Sequence, residues 1–566
     1  MTEYERWLDA KLLDSDLTDE LSAIQGQPEE INDRFYQDLA FGTGGLRGVI
    51  GAGTNRMNIY TVGKATQGLS DYLVKHGNGS QLSVAIAYDS RNKGIDFAKQ
   101  SAAVLAANGI HSYLYSELMP TPALSFAVRH LKCDAGICIT ASHNPAKYNG
   151  YKAYGADGCQ ITSDMADGVT AEIGKLDIFS DIKCIDFDRG LREGLISYID
   201  GDVVDAFIDA VYAQSLKGDA SDIRVVYTPL NGSGKRCVTA MFEKLGVKDV
   251  TIVPEQSMPD GNFPTCPYPN PEFVEALEKG LELCRTVMPD ILLATDPDCD
   301  RVGIAVRHKD DFQLISGNEV GILMLDYIIK IRNELGIMPK NPVAVTTIVS
   351  TDMVDPIATA ADVEIRRVLT GFKYIGDVIS ELEDAGSPES FILGFEESYG
   401  YLTGGHVRDK DAVNGCMIIC EMVSYYLAKG MTLVDAMESL YAKYGYYVNS
   451  TLNIAFEGED GMKAMENIMN HLRDEAPAQI GGFDVLSSSD YLTSKGITQG
   501  VPFDISLPKS NVLEYRLSGG NKFIVRPSGT EPKIKVYLSG KGEMLLEAQA
   551  IVEKLGAAAD TLINRR

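Results

Sequence analysis

No run of about 18 apolar residues occurs in this 566-residue sequence, so no segment reads as a transmembrane helix. Its ten cysteines include no CxxC pair. The closest are Cys133 with Cys138 and Cys416 with Cys420, spacings that suit neither a zinc site nor a secreted disulfide framework, and a reducing compartment is expected. Base is scarce as well: 52 Lys and Arg stand against 79 Asp and Glu, a formal net charge of −27. Such a field repels nucleic acid and anionic membranes, so neither is expected as a partner. The opening stretch MTEYERWLDAKLLDSDL is acidic and lacks the charged-then-apolar order of a signal peptide, which points to a soluble, cytoplasmic protein. Any site for an anionic metabolite would have to invert the field locally with clustered Lys and Arg. Oligomeric state is not legible.

What is present is a repeated α/β grammar. At roughly 150 residues per domain the length corresponds to about four domains. VAIAY (84–88) precedes the helix-period segment FAKQSAAVLAANG, then HSYLY, PALSFAVRHL and DAGICIT, a β-α-β-α-β order that predicts a parallel sheet with short crossovers. The order recurs through IRVVYTP, KRCVTAMFEKLG, VTIV, FVEALEKGLELC and ILLAT, and again through VAVTTI, a helix near Pro356, IRRVLT, FKYIGDVISELE and FILGF. From about Tyr447 the pattern changes to VNSTLNIAF, an amphipathic helix around Met462–Arg473, the short strands VLEYRL, KFIVRP and KIKVYLS, and a long last helix. The predicted fold class is therefore α/β: three similar units with mixed or parallel sheets, at 1–203, 204–316 and 317–446, plus a smaller C-terminal α+β domain at 447–566.

Each unit ends a strand in a polar loop. TASHNP places Ser142, with His143 beside it, after the buried run AGICIT, and ligands gather at the carboxyl ends of strands in open parallel sheets. A serine needs a base, a metal or an attached phosphate to act as a nucleophile; otherwise Ser142 is a loop or N-cap residue. TDPDCDR spaces Asp296, Asp298 and Asp300 so that all three can point to one side, where oxygen-only ligation suits Mg²⁺ or Ca²⁺. Position six of an EF-hand should be Gly and position twelve Glu, whereas Arg301 and Arg307 stand there. A solvated acidic turn is the alternative. GFEESYGY carries Glu396 and Ser398, suited to adjacent sugar hydroxyls or, alternatively, to a helix dipole. RPSGTEPKIKVY offers the Arg526 fork, the hydroxyls of Ser528 and Thr530, and Gly529 for an anion nest, or else a tight turn. Lys533 and Lys535 share a strand face, expected to be a solvated edge.

In this order the four loops resemble those of the α-D-phosphohexomutase family, which includes phosphoglucomutase and phosphomannomutase, over nearly the whole chain. FGTGGLRG with Arg47 and HVRDKDA with Lys410 fit as well, and TASHNPAKYNGYKAY is similar to the long phosphoglucomutase branch related to phosphopentomutase and glucose-bisphosphate synthase. The resemblance implies a heart-shaped molecule whose four domains meet at a central cleft. It implies a phosphorylated Ser142, Mg²⁺ held by Asp296, Asp298, Asp300 and a phosphoryl oxygen on Ser142, and sugar hydroxyls gripped by Glu396 and Ser398. Arg526, Ser528, Gly529 and Thr530 would hold the non-reacting phosphate; Arg47, Lys152, Arg301 and Lys410 would face the cleft; His143 or Lys410 would move protons. The implied reaction interconverts glucose 1-phosphate and glucose 6-phosphate through glucose 1,6-bisphosphate, with sugar phosphates as the small-molecule partners and mannose or pentose phosphates as alternative substrates. Asp298-Cys299-Asp300-Arg301-Val302 also fits the DxDxV pattern of haloacid-dehalogenase-type phosphotransferases, and a non-catalytic sugar-phosphate sensor is the remaining alternative.

Overall fold

The structure is a computed structural model and describes residues 2–42, 44–77, 81–456, 461–528 and 533–563. Four sheets organise it. The first contains β1 (Gly45–Val49), β2 (Ser83–Tyr88), β3 (His111–Tyr115), β4 (Ala135–Ile139), β5 (Tyr148–Gly155) and β6 (Ile196–Ile199) in the order β1-β5-β4-β2-β3-β6. Strands β4, β2, β3 and β6 are mutually parallel, as the crossover pattern predicts, while β5 and β1 add antiparallel at one edge.

The second and third sheets repeat this plan. β7 (Arg224–Thr228), β8 (Asp249–Ile252), β9 (Ile291–Thr295), β10 (Val302–His308) and β11 (Asp311–Ile315) run in the order β11-β10-β9-β7-β8, parallel only from β9 to β8. β12 (Val343–Thr347), β13 (Glu364–Val368), β14 (Phe391–Glu396) and β15 (Gly400–Leu402) run β13-β12-β14-β15, with β15 antiparallel. The last sheet is antiparallel throughout. It comprises β16 (Tyr446–Ala455), β17 (Gln479–Ile480), β18 (Phe483–Asp490), β19 (Lys495–Thr498), β20 (Val501–Asp504), β21 (Leu513–Leu517), β22 (Asn521–Pro527) and β23 (Lys533–Gly542).

One consequence decides where the chemistry sits. Every polar loop singled out in the sequence joins two antiparallel neighbours: β4 to β5, β9 to β10, β14 to β15, and β22 to β23. In the first three units the incoming strand is buried on both faces, which explains its unbroken apolar run. The chain then turns back along the sheet edge instead of entering a crossover helix, so the loop is short and anchored at both ends. The expectation for Lys533 and Lys535 is corrected here. β23 lies between β16 and β22 and is no edge, so both lysines stand on an interior strand, half-buried.

The loop after β7 contains Gly232 and Gly234 and packs against the β9–β10 turn. Ser233 donates from its backbone N–H and its hydroxyl to the Pro297 carbonyl, both at 2.8 Å. A Cβ on Gly232 would lie 2.5 Å from Pro297 Cα, and one on Gly234 2.8 Å from Cys299 Sγ. Gly232 allows close approach of two backbones, and Gly234 leaves room for the side chains of Tyr227, Thr295 and Cys299. Gly232→Ala is therefore expected to destabilise the protein by about 1–3 kcal/mol, the usual cost of overpacking. Thermal unfolding checks this, and an unchanged midpoint would contradict it.

Candidate active site

A cleft of about 1620 Å³ is lined by residues from all four sheets or their connecting loops. Arg47, His143, Arg301, Glu396, Ser398, Lys410, Arg526 and Ser528 all reach it. Gly529 and Thr530 lie outside the described residues.

At its base is the turn 296–301. Asp296, Asp298 and Asp300 are fully buried, and one carboxylate oxygen from each lies within 4.8 Å of the others. The turn closes on itself, because the N–H groups of Asp300 and Arg301 donate to Asp296 Oδ1 at 3.1 and 3.0 Å. Cys299 takes a left-handed conformation, φ 52°, to complete it. Segments distant in sequence grip the same few residues. Thr121 donates from its backbone to the Asp298 carbonyl at 2.8 Å and from its hydroxyl to Asp298 Oδ2 at 2.9 Å. Val302 donates to the Tyr399 carbonyl at 3.1 Å, which joins this turn to the β14–β15 loop.

Three buried carboxylates this close repel unless cations intervene. Two lysines supply part of the balance. Lys152 Nζ is 2.8 Å from Asp298 Oδ2 and 3.5 Å from Asp300 Oδ2, and Lys410 Nζ is 3.1 Å from Asp300 Oδ2. Burial and the two neighbouring carboxylates push Asp296 well above the ordinary carboxylate range. Burial acts on Asp298 in the same sense, but the Lys152 ammonium outweighs it and holds that group low. Both lysines bond to Oδ2 atoms. Among the described residues, Oδ1 of Asp298 and of Asp300 are buried with no hydrogen bond, although Arg301 Nε lies 3.6 Å from Asp300 Oδ1. A compact, oxygen-only donor set with unsatisfied lone pairs fits a hard divalent ion such as Mg²⁺.

Ser142 meets this cluster directly. Its hydroxyl donates to Asp296 Oδ2 at 3.1 Å and lies 3.2 Å from His143 Nδ1. The residue is buried and left-handed, with φ 53°. That conformation is uncommon for serine and persists because the surroundings enforce it. Thr140 Oγ1 accepts from the Ser142 N–H at 2.8 Å and donates to Asp89 Oδ2 at 2.6 Å. Arg91 is fully buried, and its guanidinium donates to the carbonyls of Ser142, Asn144, Pro145 and Tyr148. Sequence reasoning passed over Asp89, Arg91 and Thr121, which lie outside the polar motifs, and Thr140, which opens TASHNP but was given no role. Burial, with Arg301 and Arg47 nearby, pushes the His143 imidazole well below its usual range.

The remaining residues spread along the cleft. Arg47 is on β1 opposite Gly150, and Arg301 lies 3.4 Å from Glu272. Glu396 ends β14 and accepts from the Gly371 N–H at 2.8 Å. Arg526 and Lys535 face each other across β22 and β23, and Lys533 and Lys535 line the same wall. Burial, joined by Lys533 and Arg526, lowers the Lys535 pKa, as a cluster of cations predicts. This is the local inversion of field that a −27 chain requires for an anionic ligand. Segment 406–411 ties the units together: Arg408 N–H donates to Ser125 Oγ at 2.9 Å, Asp409 accepts from Tyr154 at 2.7 Å, and Lys410 reaches Asp300.

Comparison with known proteins agrees with this geometry. Profiles of the phosphoglucomutase/phosphomannomutase family match residues 38–178, 205–309 and 316–444 as its alpha/beta/alpha domains I, II and III, and 490–552 as its C-terminal domain. The chain belongs to the phosphoglucomutase/phosphomannomutase family. Phosphoglucomutase of Staphylococcus saprophyticus is 37% identical over 518 residues, covering 90% of this chain and 92% of that protein. The Staphylococcus aureus enzyme of the same name is 37% identical over 529 residues, covering 91% and 92%. Among solved structures, a putative phosphomannomutase from Thermus thermophilus superposes with TM-score 0.68 at 20% identity over 93% of this chain and 99% of its own. The parafusin phosphoglucomutase of Paramecium, in an open form, gives 0.68 at 17% identity over 92% and 94%. The mixed α/β architecture is the one this family shares, and the family match replaces the haloacid-dehalogenase-type reading of Asp298.

Arg91→Lys tests the support beneath Ser142. One ammonium cannot reach four carbonyls, so turnover is expected to fall by about 10²-fold through misplacement of the hydroxyl. Steady-state kinetics checks it; turnover at the wild-type level would show that the loop holds its position without the guanidinium.

Proposed function

We propose that this protein is a magnesium-dependent phosphoglucomutase that interconverts glucose 1-phosphate and glucose 6-phosphate. The observation that carries the proposal is the 3.1 Å contact between Ser142 Oγ and Asp296 Oδ2, inside a cluster of carboxylates with unsatisfied oxygens. It supports a serine that carries a phosphoryl group beside a bound divalent ion. The identity to phosphoglucomutases of two staphylococci favours glucose over mannose or pentose phosphates. In this reading four units, 1–203, 204–316, 317–446 and 447–566, each bring one loop to the cleft. Among the described residues no helix is long and apolar enough to cross a membrane.

Asp296, Asp298 and Asp300 would hold Mg²⁺, which would draw charge from a phosphoryl oxygen on Ser142. The P–O bond to Ser142 Oγ breaks as a new P–O bond forms to the free hydroxyl of a bound sugar monophosphate. That hydroxyl's proton leaves to the neutral His143 imidazole, whose Nδ1 faces Ser142 Oγ, and the freed Ser142 oxygen takes up a proton in turn, from the same imidazole or from the Lys410 ammonium beside Asp300. Glucose 1,6-bisphosphate results. It reorients within the cleft, and its other phosphate returns to Ser142, so the phosphate migrates with no net change in phosphorylation.

Glu396 and Ser398 grip sugar hydroxyls, and the wall formed by Arg526, Ser528, Lys533 and Lys535 holds the phosphate that is not reacting. Arg47, Lys152 and Arg301 add positive charge between the two ends. Phosphoryl transfer depends mainly on such positioning and charge stabilisation, so the cleft is rich in cations.

Turnover of glucose 1-phosphate, mannose 1-phosphate and ribose 1-phosphate measured side by side tests the reading, with glucose expected to give the highest kcat/KM. Preference for mannose or ribose phosphate would reassign the substrate. Ser142→Ala is expected to lower turnover by about 10³-fold or more, since a covalent route loses its acceptor. Phosphate transferred to the wild-type chain should resist hydroxylamine; a hydroxylamine-labile label would place it on a carboxylate and remove Ser142 from the reaction.

A further inference from the structure

Lys522 does not line up with any motif, yet it is almost completely buried, an unusual place for a lysine. Its ammonium is held by three acceptors on the turn that follows β12: the carbonyls of Ile348 at 3.1 Å and Ser350 at 2.7 Å, and Asp352 Oδ1 at 3.1 Å. Asp352 is also reached by Arg367 at 3.1 Å and by Arg516 at 2.7 Å. Around this polar centre Ile348, Val349 and Leu369 pack against Tyr491, Val512, Ile524 and Tyr537 of the C-terminal sheet.

The same turn is bonded on its other side to the sugar loop. Thr347 Oγ1 is 2.8 Å from Ser350 Oγ and donates to Glu397 Oε2 at 3.1 Å. Glu397 lies between Glu396 and Ser398. On β22, Lys522, Ile524 and Arg526 alternate onto one face, which puts Arg526 about 13 Å along the strand from Lys522 at the usual rise. A continuous path therefore runs from the sugar loop through Glu397, Thr347 and Ser350 to Lys522, and along one strand to the phosphate wall.

We infer that Lys522 is a positioning residue: by seating β22 on the 348–352 turn, it fixes the spacing between the groups that grip the sugar and those that hold the distal phosphate. Sugar ring and phosphate are joined by covalent bonds of fixed length, so a ligand that spans both loops binds well only at one separation. A ligand that touches the phosphate wall alone has no such requirement. The inference rests on the assignment of Glu396 and Ser398 to the sugar and of Arg526 to phosphate.

The test uses the full-length enzyme carrying Lys522→Met, which keeps the bulk of the stem and removes its charge, together with Glu397→Gln at the opposite end of the path. Each is expected to lower kcat/KM for glucose 1-phosphate by about tenfold or more, as for a buried hydrogen bond to a charged group. Inhibition by inorganic phosphate, which cannot reach the sugar loop, should stay within about twofold of wild type, a split that a general loss of packing would not produce. The double variant should lose little more than either single one, because both act through one turn. Wild-type kcat/KM in both single variants, or an equal loss of phosphate inhibition, would overturn the inference. If Lys522→Met fails to fold, Glu397→Gln alone decides by the same two readouts. A wild-type enzyme that turned over no sugar phosphate would instead bring down the functional assignment, a result distinct from variants that merely match it.

Discussion

Three carboxylates closed into one buried turn are the constraint on which the rest of the molecule depends. Asp296, Asp298 and Asp300 are almost devoid of solvent contact, and water cannot screen their repulsion. Lys152 and Lys410 answer part of that charge through Oδ2 atoms, Arg301 Nε lies 3.6 Å from Asp300 Oδ1, and neither Asp298 Oδ1 nor Asp300 Oδ1 has a hydrogen bond among the described residues. Unsatisfied buried acceptors are costly, and a divalent ion would remove the cost while adding a positive centre beside Ser142. The charge arithmetic fits phosphoryl transfer. A trio of anions, two ammonium groups and one Mg²⁺ would leave a net charge of about +1, able to take up the negative charge of a phosphoserine.

Rigidity around the turn comes from the number of segments that hold it. Thr121, Ser233, Tyr399 and Ala412 each bond to the backbone of residues 297–302, and all four are distant from that turn in sequence. Arg91 does for the serine loop what these residues do for the aspartate turn, supplying one cation to four carbonyls. Because the active loops are hairpin turns rather than entries to crossover helices, both ends of each are fixed by strand pairing. The cleft is therefore assembled from short, doubly anchored loops, which suits a reaction whose rate depends on placing two phosphates at set distances.

Much of this was legible before the structure. Strand and helix order in the three α/β units followed from apolar runs alternating with helix-period segments, and Ser142, Asp296, Asp298, Asp300, Glu396 and Arg526 stood out because each lies in a local pattern with its own chemistry. The returning strands were harder. β5 reads YNGYKAYG, whose Asn and two Gly weaken any strand signal, and it is a strand because β1 and β4 pair with it on either side. Thr121, Asp89, Arg91 and Lys522 escaped notice because their partners are distant in sequence. Lys533 and Lys535 were misread for a related reason: whether a strand is an edge depends on pairing order, and β23 is flanked by β16 and β22.

The most direct test of the electrostatic core is a calorimetric titration of Mg²⁺ into the full-length protein and into Asp298→Asn. The account predicts one ion per chain for the wild type and no measurable binding for the variant, because one of the three charges that balance the ion is gone. Equal stoichiometry and affinity in the two proteins would contradict it.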